Sequence, residues 1–219
     1  MRRSRLLAAV LAAAGSLAAA AAAGPTRPLS TLGLLRPAPP PGRLGPELVP
    51  VPDAPPLAPA GAERTRGRPI DGIRCRSNEP MLFHVHVHLT LFVDGKPRAV
   101  PAGIGIWPPV GPQNYRDGQF GEVPGNCLYW LVTRYADGLV HVEAPVRRSF
   151  VLGELFDVWG QPLGRSRLGP ARGPVTAIVD GRVWTGDPRA IPLAAHAQIQ
   201  LEVGRPLVAP ERIDWPGRY

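Results

Sequence analysis

The stretch "LFHVHVHLTLFV", Leu82 to Val93, alternates without a break. Phe83, Val85, Val87, Leu89, Leu91 and Val93 fall on one parity, and Leu82, His84, His86, His88, Thr90 and Phe92 on the other. Side chains at i and i+2 of a strand share a face, so this period predicts one long strand with an apolar side that must be covered. Asp94-Gly95 then predicts a tight hairpin turn. "KPRAVP" predicts a shorter return strand, which Pro97 places at an edge.

The other side of the strand carries the functional question, because three of the five histidines in the chain lie within five residues of one another. Neighbouring histidines on that face have Cα atoms about 6.6 Å apart at a rise of ~3.3 Å per residue. Two imidazoles at this spacing can converge on one ion that each reaches at about 2.0 Å. The outer pair is separated by about 13 Å. His84, His86 and His88 are therefore expected to supply two ligands, with a third from a neighbouring strand. His141 in "LVHVEA" is the natural partner, Glu143 on the same face can ligate or orient a histidine, and His196 is a further candidate. Imidazole suits zinc and copper alike. The plainer alternative is a solvated face on which histidine is simply the polar residue, or a surface that titrates near pH 6.5.

The rest of the pattern is strand-rich. "CLYWLVTRY" is β-branched and aromatic, Ala136-Asp137-Gly138 predicts a turn, and "LVHVEA" pairs back with Val140 and Val142 toward the core. Ser149 can cap a short helix whose Leu152, Leu155, Phe156 and Trp159 form one apolar stripe ended by Gly160. "VTAIVD", a second Asp-Gly turn, "RVW" and "HAQIQLEVG" follow, the last with Ala197, Ile199, Leu201 and Val203 inward and Gln198, Gln200 and Glu202 on its polar face. The expected class is α+β: a strand-rich single domain with one short helix, β-grasp-like, with an antiparallel cupredoxin-like sandwich as the alternative.

The chain opens with Arg2, Arg3 and Arg5, an apolar run from Leu6 to Ala23 and an Ala-x-Ala exit, the pattern of a signal peptide over residues 1–23. Left uncleaved, the same run would tether the chain to a membrane. From Gly24 to Pro69 proline is dense enough to forbid helix and sheet, and a disordered or semi-rigid tether is expected. The globular domain is then 70–219. The net charge of +8 resides mostly in the first 68 residues, where nine arginines face three acids; the remainder has sixteen Lys and Arg against fourteen Asp and Glu. No basic stripe is left to follow a phosphate backbone, so no nucleic-acid partner is expected. Cys75 and Cys127 are even in number, which in an exported chain favours a disulfide; Cys127 as a thiolate ligand is the competing reading.

Four segments, "HVHVHLTLFVDGKPRAVPAGIGI", "CLYWLVTRYADGLVHVEAP", "LGELFDVWGQPL" and "IPLAAHAQIQLEVG", together resemble a family of exported, histidine-rich bacterial proteins of unassigned function. The resemblance spans nearly all of Ile70 to Gly204. It implies a histidine-bearing first strand and a later His-Val-Glu strand, both kept here. Val132 and Arg134 stand where the family pattern has histidines, and Tyr135 where it has aspartate. If those positions carry the family's metal, part of the site is lost in this chain.

Three functions fit the sequence. The first is an exported metal-binding protein for zinc or copper, with the ion as its partner. The second is an interaction domain without metal and without an assigned protein partner, whose contact surface is the long Ala102–Asn126 loop with Trp107, Tyr115 and Phe120. The third is a metal-assisted enzyme with Glu143 as general base. No Gly-x-Ser-x-Gly elbow, His-Glu-x-x-His helix or phosphate-binding glycine loop is present, so the enzymatic reading has the least to stand on.

Overall fold

The computed structural model describes residues 24–61, 66–77, 82–108 and 127–217. The expected leader and most of the 102–126 loop, including Tyr115 and Phe120, lie outside the described residues. No helix among the described residues is long and apolar enough to cross a membrane.

The first half holds strands β1 (Thr26–Arg27), β2 (Arg43–Leu44), β3 (Pro50–Val51), β4 (Phe83–Val93), β5 (Lys96–Arg98) and β6 (Ile106–Trp107). Next come β7 (Cys127–Leu128), β8 (Leu131–Val132), β9 (Leu139–Ala144) and the helix α1 (Leu152–Trp159). The last part holds β10 (Leu163–Gly164), β11 (Arg167–Leu168), β12 (Ala171–Arg172), β13 (Val175–Val179), β14 (Arg182–Trp184) and β15 (Gln198–Val203). The main sheet runs β1-β14-β13-β15-β4-β9-β8, with β5 beside the far end of β4. Its central pair, β15 and β4, is parallel and the rest is antiparallel, so the sheet is mixed and not the all-antiparallel arrangement held as the alternative.

The alternation of β4 decides how the sheet is covered. Val87, Leu89 and Leu91 join Val140, Val142, Ile199 and Leu201 in one core with Leu152, Leu155, Phe156 and Trp159 of the helix. At Asp94-Gly95 both residues have positive φ, 51° and 69°, which gives the turn a twist matching its strands. Gly160, at φ 71°, ends α1 in the left-handed conformation. The helix start differs from expectation. Its first residue is Leu152, too far along for Ser149 to cap, and the Glu154 carboxylate accepts the Val151 N–H at 2.9 Å while Arg148 holds that carboxylate.

The expected strand through "CLYWLVTRY" is two pieces. Cys127–Leu128 pairs with β6 and Leu131–Val132 with β9, divided at Tyr129 and Trp130. Cys75 and Cys127 form a disulfide, Cα atoms 5.2 Å apart, so the thiolate-ligand reading of Cys127 falls.

The largest correction concerns the expected tether. Its described part, 24–61, lies on the folded unit: β1 pairs with β14, Arg36 bridges Val208, Pro56 bridges Ala99, and Val49, Leu57 and Ala58 are buried. Proline lacks an N–H but keeps its carbonyl, so a proline-rich chain can still accept bonds from a sheet it cannot join. Ala99 N donates to Pro55 O, Thr185 N to Pro25 O, and the Trp159 indole to Pro59 O. Glu47 and Val49 of this segment, with the C-terminal segment, lie on the histidine side of the sheet, while Leu57 and Ala58 join the main core. Val49, Leu139 and Ile213 make a second small core there with Trp215 against it. The polar face of β15 holds the C-terminal segment in place: Gln198 exchanges two bonds with the Ile213 backbone, and Glu202 accepts from Val208 N.

Candidate metal centre

Strand register places the site. His84 lies opposite Glu143, His86 opposite His141 and His88 opposite Leu139 across β4 and β9, while Val132 of β8 lies opposite His141 on its other side. Directly paired residues project from the same face at close Cβ spacing, so a row His86–His141–Val132 crosses three strands. Ligand atoms of His84, His86 and His141 all lie within 4.8 Å of one another. Ring centroids are 4.4 Å apart for His84 and His86 and 4.7 Å for His86 and His141. Three imidazole nitrogens on one ion at about 2.05 Å would stand about 3.4 Å apart in a tetrahedral set, so the group needs a contraction of about 1.4 Å at most. His84, with 30% of its side chain exposed, has room to move; His141 at 1% has little.

Two of the expected ligands are not members of this group. His88 is buried and its Nε2 lies 2.9 Å from the Asp137 carbonyl oxygen, which turns it toward the β8–β9 turn. Burial lowers its pKa to about 4, against that hydrogen bond, so it stays neutral. The register explains this, since one strand can bring only adjacent members of its histidine row to a common point. Glu143 borders the group without belonging to it: its Oε1 lies 3.3 Å from His84 Nε2, 3.5 Å from His141 Nδ1 and 2.8 Å from the Arg134 guanidinium. His196, the further candidate, has positive φ, stacks its ring on Trp215 at 4.8 Å and is not a member of the group, although its backbone N–H donates to the His86 carbonyl.

The charges around the group are arranged by burial and by pairing. Burial lowers the pKa of His86 to about 3, with His141 and His84 adding to the effect, so His86 presents a neutral imidazole. Burial also pulls His141 down, but hydrogen bonds to Glu143 and Glu47 outweigh it and its pKa is raised. Glu143 is held well below the usual carboxylate range; its bonds from His141 and His84 and the Arg134 cation overcome the cost of burying it. Asp137, buried near Glu47, is pushed up to about 7.

Glu47 was not visible as a site residue in the sequence. It comes from the proline-rich segment, is buried, and its Oε1 lies 2.9 Å from His141 Nε2. With that nitrogen engaged, an ion would take Nδ1, displacing the proton that His141 shares there with Glu143 Oε1 at 3.5 Å. A carboxylate on the far nitrogen is the usual means by which a ligating histidine is fixed in tautomer and orientation. The one available signal was "GPELVPV", an acid set among apolar residues and prolines in a segment nearly free of acids.

The chain matches no family model, no curated protein and no solved structure.

Proposed function

We propose that this is an exported protein of β-grasp-like fold that binds one zinc or copper ion through His84, His86 and His141. The single observation carrying this reading is the gathering of three imidazoles from two strands with their ligand atoms within 4.8 Å of one another. Neutral His86 is ready to ligate, Glu47 orients His141, and Glu143 supplies an anion that can either complete the shell or orient His84. A structural or transport role fits a site this enclosed better than turnover does. Export is supported by the leader pattern and by the Cys75–Cys127 disulfide, which persists in oxidising compartments. The fold proposal rests on strand order: taking β4, β9, β13, β14 and β15 as one to five, the sheet reads 2-1-5-3-4 with one and five parallel and α1 between two and three. The family resemblance fits the same reading, since Val132 and Arg134 both stand beside the proposed ligands.

The test is equilibrium titration of metal-stripped protein with Zn²⁺ or Cu²⁺ against a competing chelator. The expected result is one ion per chain, lost in both His86→Ala and His141→Ala. Retention of stoichiometric binding in both variants overturns the proposal.

A further inference from the structure

Beside the histidine cluster, and separate from it, lies a cleft of about 510 Å³ between the proline-rich segment, the middle of β4 and the C-terminal segment. That volume is in the range of pockets that bury a small molecule. Pro39, Pro40 and Pro41 form part of its wall together with Pro50 and Pro52. Such a wall presents C–H surface and carbonyl oxygens but no backbone N–H. On the proline side directional recognition is left to side chains, and the cleft offers several charged ones beside the His88 ring and the Thr90 hydroxyl.

Those side chains carry both signs and do not neutralise one another. Arg98, Arg212, Asp53, Asp137 and Glu211 all line the cleft, and among the described residues no ion pair joins either arginine to any of the three acids. Among the described residues the Arg98 guanidinium makes one long bond, 3.5 Å to the Pro97 carbonyl. Glu211 is half-buried, its backbone N–H donates to Gln200, and among the described residues its carboxyl has no hydrogen-bond or ion-pair partner. Burial raises its pKa. Asp137 Oδ2 is likewise buried without a hydrogen bond. Leaving a desolvated charge without its counterpart is costly, and a ligand that supplies the counterpart recovers that cost.

We infer that the cleft binds a small zwitterion with an apolar body, of dipeptide size, its ammonium against Glu211 and Asp137 and its carboxylate against Arg98. A singly charged ligand would satisfy one set of groups and leave the other as it was. The apolar body would lie against the proline wall and Leu89, Leu91 and Ile213. This site shares no side chain with the three proposed metal ligands, so it stands or falls independently of the ion.

The experiment is isothermal titration of the full chain with leucyl-phenylalanine, its N-acetyl form and its C-terminal amide, with and without Zn²⁺. The free dipeptide is expected to bind one per chain, and each capped form about tenfold or more weaker. Glu211→Gln should weaken the free dipeptide about tenfold yet leave the N-acetyl form unchanged, and Arg98→Gln should do the same with respect to the amide. No binding by the free dipeptide, or equal affinity for all three ligands, overturns the inference; the wild-type comparison decides even where a variant fails to fold.

Discussion

Oε1 of Glu47 and Nε2 of His141 lie 2.9 Å apart in a buried contact, although 94 residues separate them in the chain. The contact joins a proline-rich segment that adds only edge pairings to the sheet to the one histidine of the cluster with almost no exposure. It makes the N-terminal segment part of the site and not a spacer. Glu47→Gln should therefore lower zinc affinity about 10- to 100-fold, the usual loss when such a supporting carboxylate is removed. A chelator-competition titration measures it; an unchanged affinity would detach Glu47 from the site.

Val132 lies opposite His141 in the ladder, and Arg134 donates to Glu143 at 2.8 Å. Val132→His should add an imidazole to the row and tighten zinc binding at least about tenfold, an increment of about 1.4 kcal/mol. Arg134→Ala should also tighten it, because a cation leaves the vicinity of the ion and Glu143 is released toward it. The same variant should destabilise the metal-free protein by about 1–3 kcal/mol, since a buried carboxylate loses a charged partner. Weaker metal binding in both variants would contradict the placement of these two residues.

Acid stability follows from the buried histidines. His86 and His88 have folded pKa values near 3 and 4, below the 6.5 of an unfolded histidine. In that window the unfolded chain binds more protons than the folded one, so stability falls as pH drops from 6.5 toward 4. His141 has the opposite sign: its raised pKa contributes stability below pH 6.5 that is lost as pH rises through its folded value. Glu143, held low, contributes stability above its unfolded pKa and loses it only in stronger acid. Asp137, raised to about 7, has the opposite sign and gains stability as pH falls through the same window, so the expectation is a difference: wild type should lose about 3 kcal/mol more than His88→Gln between pH 6.5 and 4 by linkage. Urea midpoints of wild type and His88→Gln across that range check this, and parallel profiles would contradict it.

Reduction of the Cys75–Cys127 disulfide, which closes a loop of 52 residues, should cost about 4 kcal/mol of stability in the chain-entropy picture. Cys75→Ser/Cys127→Ser should show the same loss with zinc affinity unchanged. A drop in affinity would return Cys127 to the list of ligands.

Local periodicity made the fold's elements legible. The alternation of Leu82–Val93 and of Gln198–Val203 depends on side-chain parity alone, and both strands form with the expected faces inward. The same logic paired His141 with the first strand, because Asp137-Gly138 and the apolar parity of Val140 and Val142 fix which way His141 points. Pairing partners more distant in sequence were not legible. Periodicity does not say that β15 would lie parallel to β4, nor that Glu47 and Val49 of the proline-rich segment would lie against the histidine face. Proline density was read as an absence of structure, but it removes only donors; carbonyls and ring surface remain, and those are what the segment uses. His88 was grouped with its neighbours by parity, whereas its position opposite Leu139, one step past His141, decides its partner.

The central claim is that His84, His86 and His141 share one ion, and X-ray absorption spectroscopy at the zinc edge of the loaded protein tests it most directly. The account predicts three imidazole scatterers at about 2.0–2.1 Å with their outer-ring signature, falling to two in His84→Ala. A spectrum of oxygen scatterers alone, or one unchanged when any of the three histidines is replaced, would contradict it.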